Sequence, residues 1–169
     1  MTIRQAQAGD DAEIYSLVQT AFATAKVSDG SEQDFVLKLR RRDTYRPELE
    51  LVAEENGQLT GHILLTELSI PGAPAGLRGL RVAPLGVGRE DRSRGRGGGL
   101  LQEGARRAAE LGYSALFLVG DPDYYGRYGF QSAVSLGFQN ASGLRDQVWR
   151  ARSLNPDGFQ EAGGVLNLH

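Results

Sequence analysis

One segment constrains this chain more than any other: Pro84-Leu85-Gly86-Val87-Gly88-Arg89-Glu90-Asp91-Arg92-Ser93-Arg94-Gly95-Arg96-Gly97-Gly98-Gly99-Leu100-Leu101. It reads as a strand end, a loop and a helix start. Between Gly86 and Gly99 it carries four arginines and six glycines. Glycine lets the backbone approach a ligand closely and adopt positive φ. N–H groups in the first turn of a helix have no intrahelical acceptor and sit at the positive end of the helix dipole. Such a turn suits an anion, and Arg89, Arg92, Arg94 and Arg96 add full charges. The segment predicts a phosphate or pyrophosphate at this helix N-terminus. A Walker loop is excluded, because it needs Gly-Lys-Ser/Thr and no lysine lies here. A dinucleotide fingerprint starting at Gly95 would need glycine where Leu100 stands.

The rest of the chain reads as a mixed α/β (α+β) domain of 169 residues. Thr2 to Ala6 reads as a first strand. Asp10 and Asp11 are N-cap candidates for a helix whose apolar face is Ile14, Leu17, Val18, Ala21 and Phe22. Ser31 caps a second helix ending in Arg40-Arg41-Arg42, a run that reads as a solvated C-terminus suited to the dipole. Leu49 to Glu54 alternates as a strand, Asn56-Gly57 is a hairpin signal, and a strand returns from Leu59 to Ile70. Leu77 to Val87 is a further strand, irregular at Pro84 and Gly86. Gly97 to Leu111 is helical, Ala115 to Val119 a buried strand, and Asp121-Pro122 starts a short helix. Weaker strands are expected at Ala133 to Phe138 and Gln147 to Leu154.

Composition narrows the chemistry. The chain has no cysteine, which excludes a thiolate metal site and any acyl-cysteine intermediate. Its longest clean apolar run, Ala115 to Val119, is far below the ~20 residues of a membrane span. No apolar leader is visible at the start, so a cytoplasmic protein without a membrane partner is expected. The formal net charge is −2, although 17 of 19 basic residues are arginine. No aromatic residue lies between Arg89 and Leu101 to stack on a base, so nucleic acid is not expected as a partner.

Two motifs carry a resemblance. Arg92-x-x-Gly95-x-Gly97 follows the Pro-Leu-Gly-Val strand end, and Tyr125-Gly126-Arg127-Tyr128-Gly129-Phe130 follows the buried strand. Together they resemble the pyrophosphate loop and the Tyr-x-x-x-Gly-Phe signature of GNAT N-acetyltransferases. The run Gly120-Asp121-Pro122-Asp123-Tyr124-Tyr125 resembles a bacterial branch of that family. The resemblance covers about Leu80 to Phe130 and implies a single domain with a mostly antiparallel central sheet flanked by helices. It implies a splay in that sheet near Pro84 to Val87, and acetyl-CoA as cosubstrate. The backbone of Leu85, Gly86 and Val87 would then bind the pantetheine arm as an added strand. Arg92, Ser93, Arg94, Gly95, Arg96, Gly97 and Gly98 would hold the pyrophosphate. Tyr125 would protonate the leaving thiolate, against the plainer reading of a half-buried packing aromatic.

Without cysteine, the amine must attack the thioester directly in a ternary complex, helped mainly by positioning and by N–H groups polarising the carbonyl. No metal is expected. The strand Leu77 to Val87 has no Asp or Glu, a departure from family members that carry a carboxylate there. Candidates for a base or an acceptor site are Glu32, His62 and Glu67, with His62 and Glu67 on opposite strand faces, and a water chain remains open. Trp149 and the segments Lys26 to Asp34 and Gly137 to Gly143 are candidates to shape the acceptor cleft, with core packing the competing reading for Trp149. The acceptor amine, small molecule or protein, is unread, and a homodimer is left open. The missing carboxylate also motivates a second reading, a non-catalytic acyl-CoA-binding module.

Overall fold

The computed structural model describes residues 1–23, 30–88 and 95–167. Its elements are β1 (Thr2–Gln5), α1 (Asp11–Phe22), α2 (Glu32–Arg40), β2 (Tyr45–Glu55), β3 (Gln58–Leu68), β4 (Gly79–Val87), α3 (Arg96–Glu110), β5 (Ala115–Val119), α4 (Pro122–Gly126), β6 (Gln131–Ser132), β7 (Gln139–Asn140), β8 (Trp149–Ser153) and β9 (Val165–Leu166). They form two compact units, Met1–Thr66 with Val82–Arg107, and Glu67–Arg81 with Ala108–His169.

In the first unit β1 pairs antiparallel with β2, and β2 with β3. Asn56 and Gly57 take φ of 54° and 78° at the hairpin, as a two-residue turn of this kind requires. Successive strand residues point to opposite faces. Val52 and Leu64 accordingly pack against Ile14 and Val18 of α1 and Val36 and Leu39 of α2. The opposite face meets α3: a Cβ on Gly104 would stand 3.2 Å from Leu65, and one on Gly61 only 2.7 Å from Leu100. Glycine at both positions lets the helix lie close to the sheet. Asp10 precedes α1 but does not cap it with its side chain. Its carboxylate instead takes both Arg4 Nη atoms, at 2.8 and 2.9 Å, a charge-assisted bidentate pair that outcompetes a neutral cap.

In the second unit β5 lies between the start of β4, parallel over Gly79–Arg81, and β8, antiparallel from Ala115↔Ser153 to Val119↔Trp149. The β4 ladder with β5 therefore covers three residue pairs, all upstream of Pro84. β6 adds to β8, and β7 and β9 form a separate two-stranded pair. Phe117, Phe138, Trp149, Ala151 and Leu166 form the core of this unit, with Phe117 and Phe138 edge to face at 5.1 Å.

Two expectations are corrected. Ala133 to Phe138 is a turn, not a strand: Leu136 N–H donates to Ser132 and Ala133, Gly137 N–H to Val134, and Gly137 takes φ of 113°. The strands there shrink to β6 and β7 on either side. Arg40 is not a solvated helix end. It turns inward to a carboxylate, leaving Arg41 and Arg42 exposed.

Trp149 is fully buried, with Nε1 donating to Ser142 Oγ at 2.9 Å, so it is a core residue. Trp149→Ala should cost about 3–5 kcal/mol in denaturant unfolding, as large-to-small aromatic changes in cores do. A loss below about 1 kcal/mol would place it outside the core.

Candidate active site

β4 ends in the first unit with Val82, Pro84 and Gly86 buried and Ala83, Leu85 and Val87 half-buried. Gly86 faces α1: a Cβ there would stand 3.4 Å from Ala21 Cβ and 3.7 Å from Phe22 Cε2. Gly88 N–H donates to Thr60 at 2.9 Å and closes the strand. Arg89, Arg92, Ser93 and Arg94 lie outside the described residues. Beyond them Gly95 takes φ of 78° and its carbonyl accepts from Gly99 N–H at 2.9 Å. α3 then begins at Arg96, with Gly97 and Gly98 buried in its first turn. The expected sequence of strand, glycine-rich entry and helix N-terminus is present at its two described ends.

Arg96 differs from expectation in its surroundings. It is buried, and its guanidinium pairs with Glu55 at the end of β2. Part of its charge is therefore already met within the first unit.

Tyr125 lies on α4 in the second unit. Asp121 caps this helix, accepting from Asp123 N–H at 3.0 Å, and Pro122 opens it. The Tyr125 ring stands edge-on to Tyr124 at 4.9 Å and to Phe130 at 5.8 Å. A Cβ on Gly120 would overlap Tyr125 Cε2, so glycine there keeps the ring's place. Burial, followed by Tyr124 and Asp121, pushes its hydroxyl up to about 12. The hydroxyl is therefore protonated at neutral pH, the form a proton donor needs.

The other candidates are dispersed. Glu67, in the second unit, accepts from the Tyr113 hydroxyl, and Arg78 stacks over that Tyr113 ring at 4.4 Å. Glu32 opens α2, and its Oε2 is buried with no partner among the described residues. His62 is fully buried, with Nε2 2.8 Å from Glu50 Oε2. Residues 24–29, including Lys26, and His169 lie outside the described residues. A cavity of about 300 Å³ in the second unit is lined by Leu77, Ser114, Ser153, Asn155 and Phe159, at the Ala115 end of β5, and none of the candidates lines it. No cluster of three potential metal ligands occurs among the described residues, nor any helix long and apolar enough to cross a membrane.

The residue that sequence reasoning missed is Glu50. It is 1% exposed and accepts from Arg40 Nε at 3.0 Å, Arg40 Nη2 at 2.6 Å, Tyr45 Oη at 2.7 Å and His62. Burial raises its pKa, but the hydrogen bonds from His62, Arg40 and Tyr45 prevail and hold it at about 2. A signal existed: Glu50 is in phase with the inward-facing Val52 on an apolar strand.

A family model described as an acetyltransferase (GNAT) domain matches residues 2–133. The uncharacterized N-acetyltransferase YjhQ of Escherichia coli K12 is 32% identical over 122 residues, covering 72% of this chain. The match spans 65% of that relative, less than two thirds of its length. The Escherichia coli GNAT N-acetyltransferase YhbS, solved in complex with CoA, superposes with a TM-score of 0.86 at 26% identity, covering 99% of this chain and 89% of that one. A Brucella melitensis GNAT acetyltransferase, solved with acetyl-CoA, gives a TM-score of 0.76 at 28% identity, covering 95% and 92%. The chain belongs to the GNAT acetyltransferase family.

Glu50 makes a pH prediction. Its folded pKa lies below its ordinary 4.5, so it contributes stability above that pH, lost as pH falls toward about 2. Glu50→Gln should lower stability at pH 7 by about 3 kcal/mol. It should also flatten the decline measured by unfolding between pH 4.5 and 2. A parallel decline in both proteins would remove Glu50 from the account.

Proposed function

We propose that this chain transfers an acetyl group from acetyl-CoA to an amine, by direct attack within a ternary complex. The observation that carries this reading is the nearly full-length likeness to two GNAT structures that hold CoA and acetyl-CoA. In this reading the backbone of Leu85, Gly86 and Val87 binds the pantetheine arm. Gly95, Arg96, Gly97 and Gly98 receive the pyrophosphate at the start of α3, together with Arg92, Ser93 and Arg94. The N–H groups of the first helical turn lack intrahelical acceptors, and glycines at 95 and 97–99 carry no side chain to stand between that backbone and a phosphate.

The chemistry needs two proton transfers. The neutral amine attacks the carbonyl carbon, an oxyanion forms, and the C–S bond breaks as the carbonyl reforms. The amine loses a proton and the thiolate gains one. Tyr125, protonated at neutral pH, supplies the second. Positioning within the complex contributes most of the rate.

Release of free thiol from acetyl-CoA over a panel of amines tests the activity, with Tyr125→Phe as the control. The variant should lose about 10²–10⁴-fold in kcat while retaining acetyl-CoA binding. An unchanged rate would remove Tyr125 as the proton donor. A rise in Tm with coenzyme A but no thiol release with any amine would favour a binding module instead.

A further inference from the structure

Four of the five residues from Gly95 to Gly99 are glycine, and the side chain among them is that of Arg96. Gly97, Gly98 and Gly99 follow Arg96 directly at the start of α3. A glycine in a helix gives up more backbone freedom than any other residue. Three in succession make a first turn that its own residues hold poorly. Arg96 is the one side chain by which the rest of the protein can grip it.

The fold reaches this turn from three strands. Gly99 lies against β1, where an added Cβ would stand 3.3 Å from Met1 Cε and 3.5 Å from Ile3 Cδ1. Leu100 packs on Gly61 of β3. Both contacts are apolar, and attraction of that kind has no direction. The third contact has one. The Arg96 side chain is withdrawn from water, and its guanidinium pairs with Glu55 at the end of β2. Arginine–carboxylate hydrogen bonds are charge-assisted and oriented. Glu55 stands just before the hairpin turn, whose Asn56 and Gly57 take φ of 54° and 78°, and in register with Gln58 across it. The pair therefore ties the start of α3 to a defined hairpin end within the same compact unit.

The same pair limits what the Arg96 side chain can do for a ligand. The residue is 7% exposed. To reach a phosphate, the guanidinium must leave its buried place and break with Glu55, a costly exchange for a withdrawn ion pair. The N–H groups of the first turn need no such exchange.

We propose that Arg96 is a positioning residue: paired with Glu55, its side chain holds the glycine-rich first turn of α3 in the shape whose N–H groups receive the pyrophosphate. This rests on the acetyl-CoA reading above and gives Arg96 a double part, with its backbone toward the ligand and its guanidinium toward the protein. Glu55 then supports the binding of an anion although it is itself negative. That sign separates a positioning role from a direct one. If the Arg96 guanidinium were a phosphate ligand, Glu55 would compete with the phosphate for it, and removing the Glu55 charge would tighten binding.

Glu55→Gln keeps the size of the side chain and removes its charge. It should raise KM for acetyl-CoA about tenfold and leave kcat at saturation within about twofold. Arg96→Leu fills the buried space without a charge and should raise KM as well. The double variant should be no worse than the more affected single one, because the two residues act as a unit. Gly99 N–H bonds Gly95 C=O at 2.9 Å, so hydrogen exchange at residues 99–101 reports the turn without any ligand. It should quicken about tenfold in Glu55→Gln while β2 and β3 keep the parent protection. A KM that is unchanged or lower in Glu55→Gln overturns the positioning role, and a lower one makes Arg96 a direct ligand. Faster exchange spread evenly over the first unit also overturns it, since the pair would then serve stability in general. If Arg96→Leu does not fold, Glu55→Gln alone decides. Absence of any coenzyme A effect on the parent protein overturns the acetyl-CoA reading instead. Ligand-free exchange still decides whether the pair holds the turn, so the two failures are distinguishable.

Discussion

A carboxylate almost wholly withdrawn from water must be paired, and Glu50 is paired from three directions. Arg40 reaches it from α2, Tyr45 from the start of its own strand, and His62 from β3. Desolvating these charges costs several kcal/mol, and removing one partner leaves the others unmatched inside the core. The network therefore fastens α2 to the sheet at a set place, and Arg40 extends it to Asp11 on α1. Apolar packing by Ile14, Val18, Val36 and Leu39 supplies attraction between the helices and the sheet, but attraction of that kind is not directional. The charged centre adds direction, and it does so beside the strand on which the proposed chemistry depends.

β4 contributes residues to both compact units. Its first three residues pair with β5, and its later residues lead through the glycine- and arginine-rich segment into α3. A strand released from one neighbour can offer its backbone to an extended ligand, and a helix start can offer N–H groups to a phosphate. These two properties have separate physical origins, and in this chain they follow one another directly. In the proposed function, that succession receives a ligand with an amide-bearing arm joined to a pyrophosphate.

Most of the fold was legible where one local rule decided the outcome. Asn56-Gly57 fixed a hairpin because both residues must take positive φ, and Asp121-Pro122 fixed a helix start. The apolar spacing of Ile14, Val18 and Ala21 marked the buried face of α1. Legibility ended where distant residues compete for the same group. Asp10 looked like a cap, and Arg4 took it. Arg40 looked like a solvated helix end, and Glu50 drew it inward. Ala133 to Phe138 had the composition of a strand, but Gly137 at positive φ and the Leu136 and Gly137 hydrogen bonds close a turn instead. At the candidate site the glycines and Tyr125 were visible through their motifs. The buried Glu50 network was not, because a strand glutamate reveals its pairing only through partners that the fold brings to it.

Amide hydrogen exchange with and without coenzyme A tests the central claim, that the end of β4 and the first turn of α3 hold the cosubstrate. Coenzyme A should slow exchange at residues 85–88 and 95–99. Slowing confined to the cavity lined by Leu77, Ser114 and Phe159, with none at the β4–α3 junction, would contradict it.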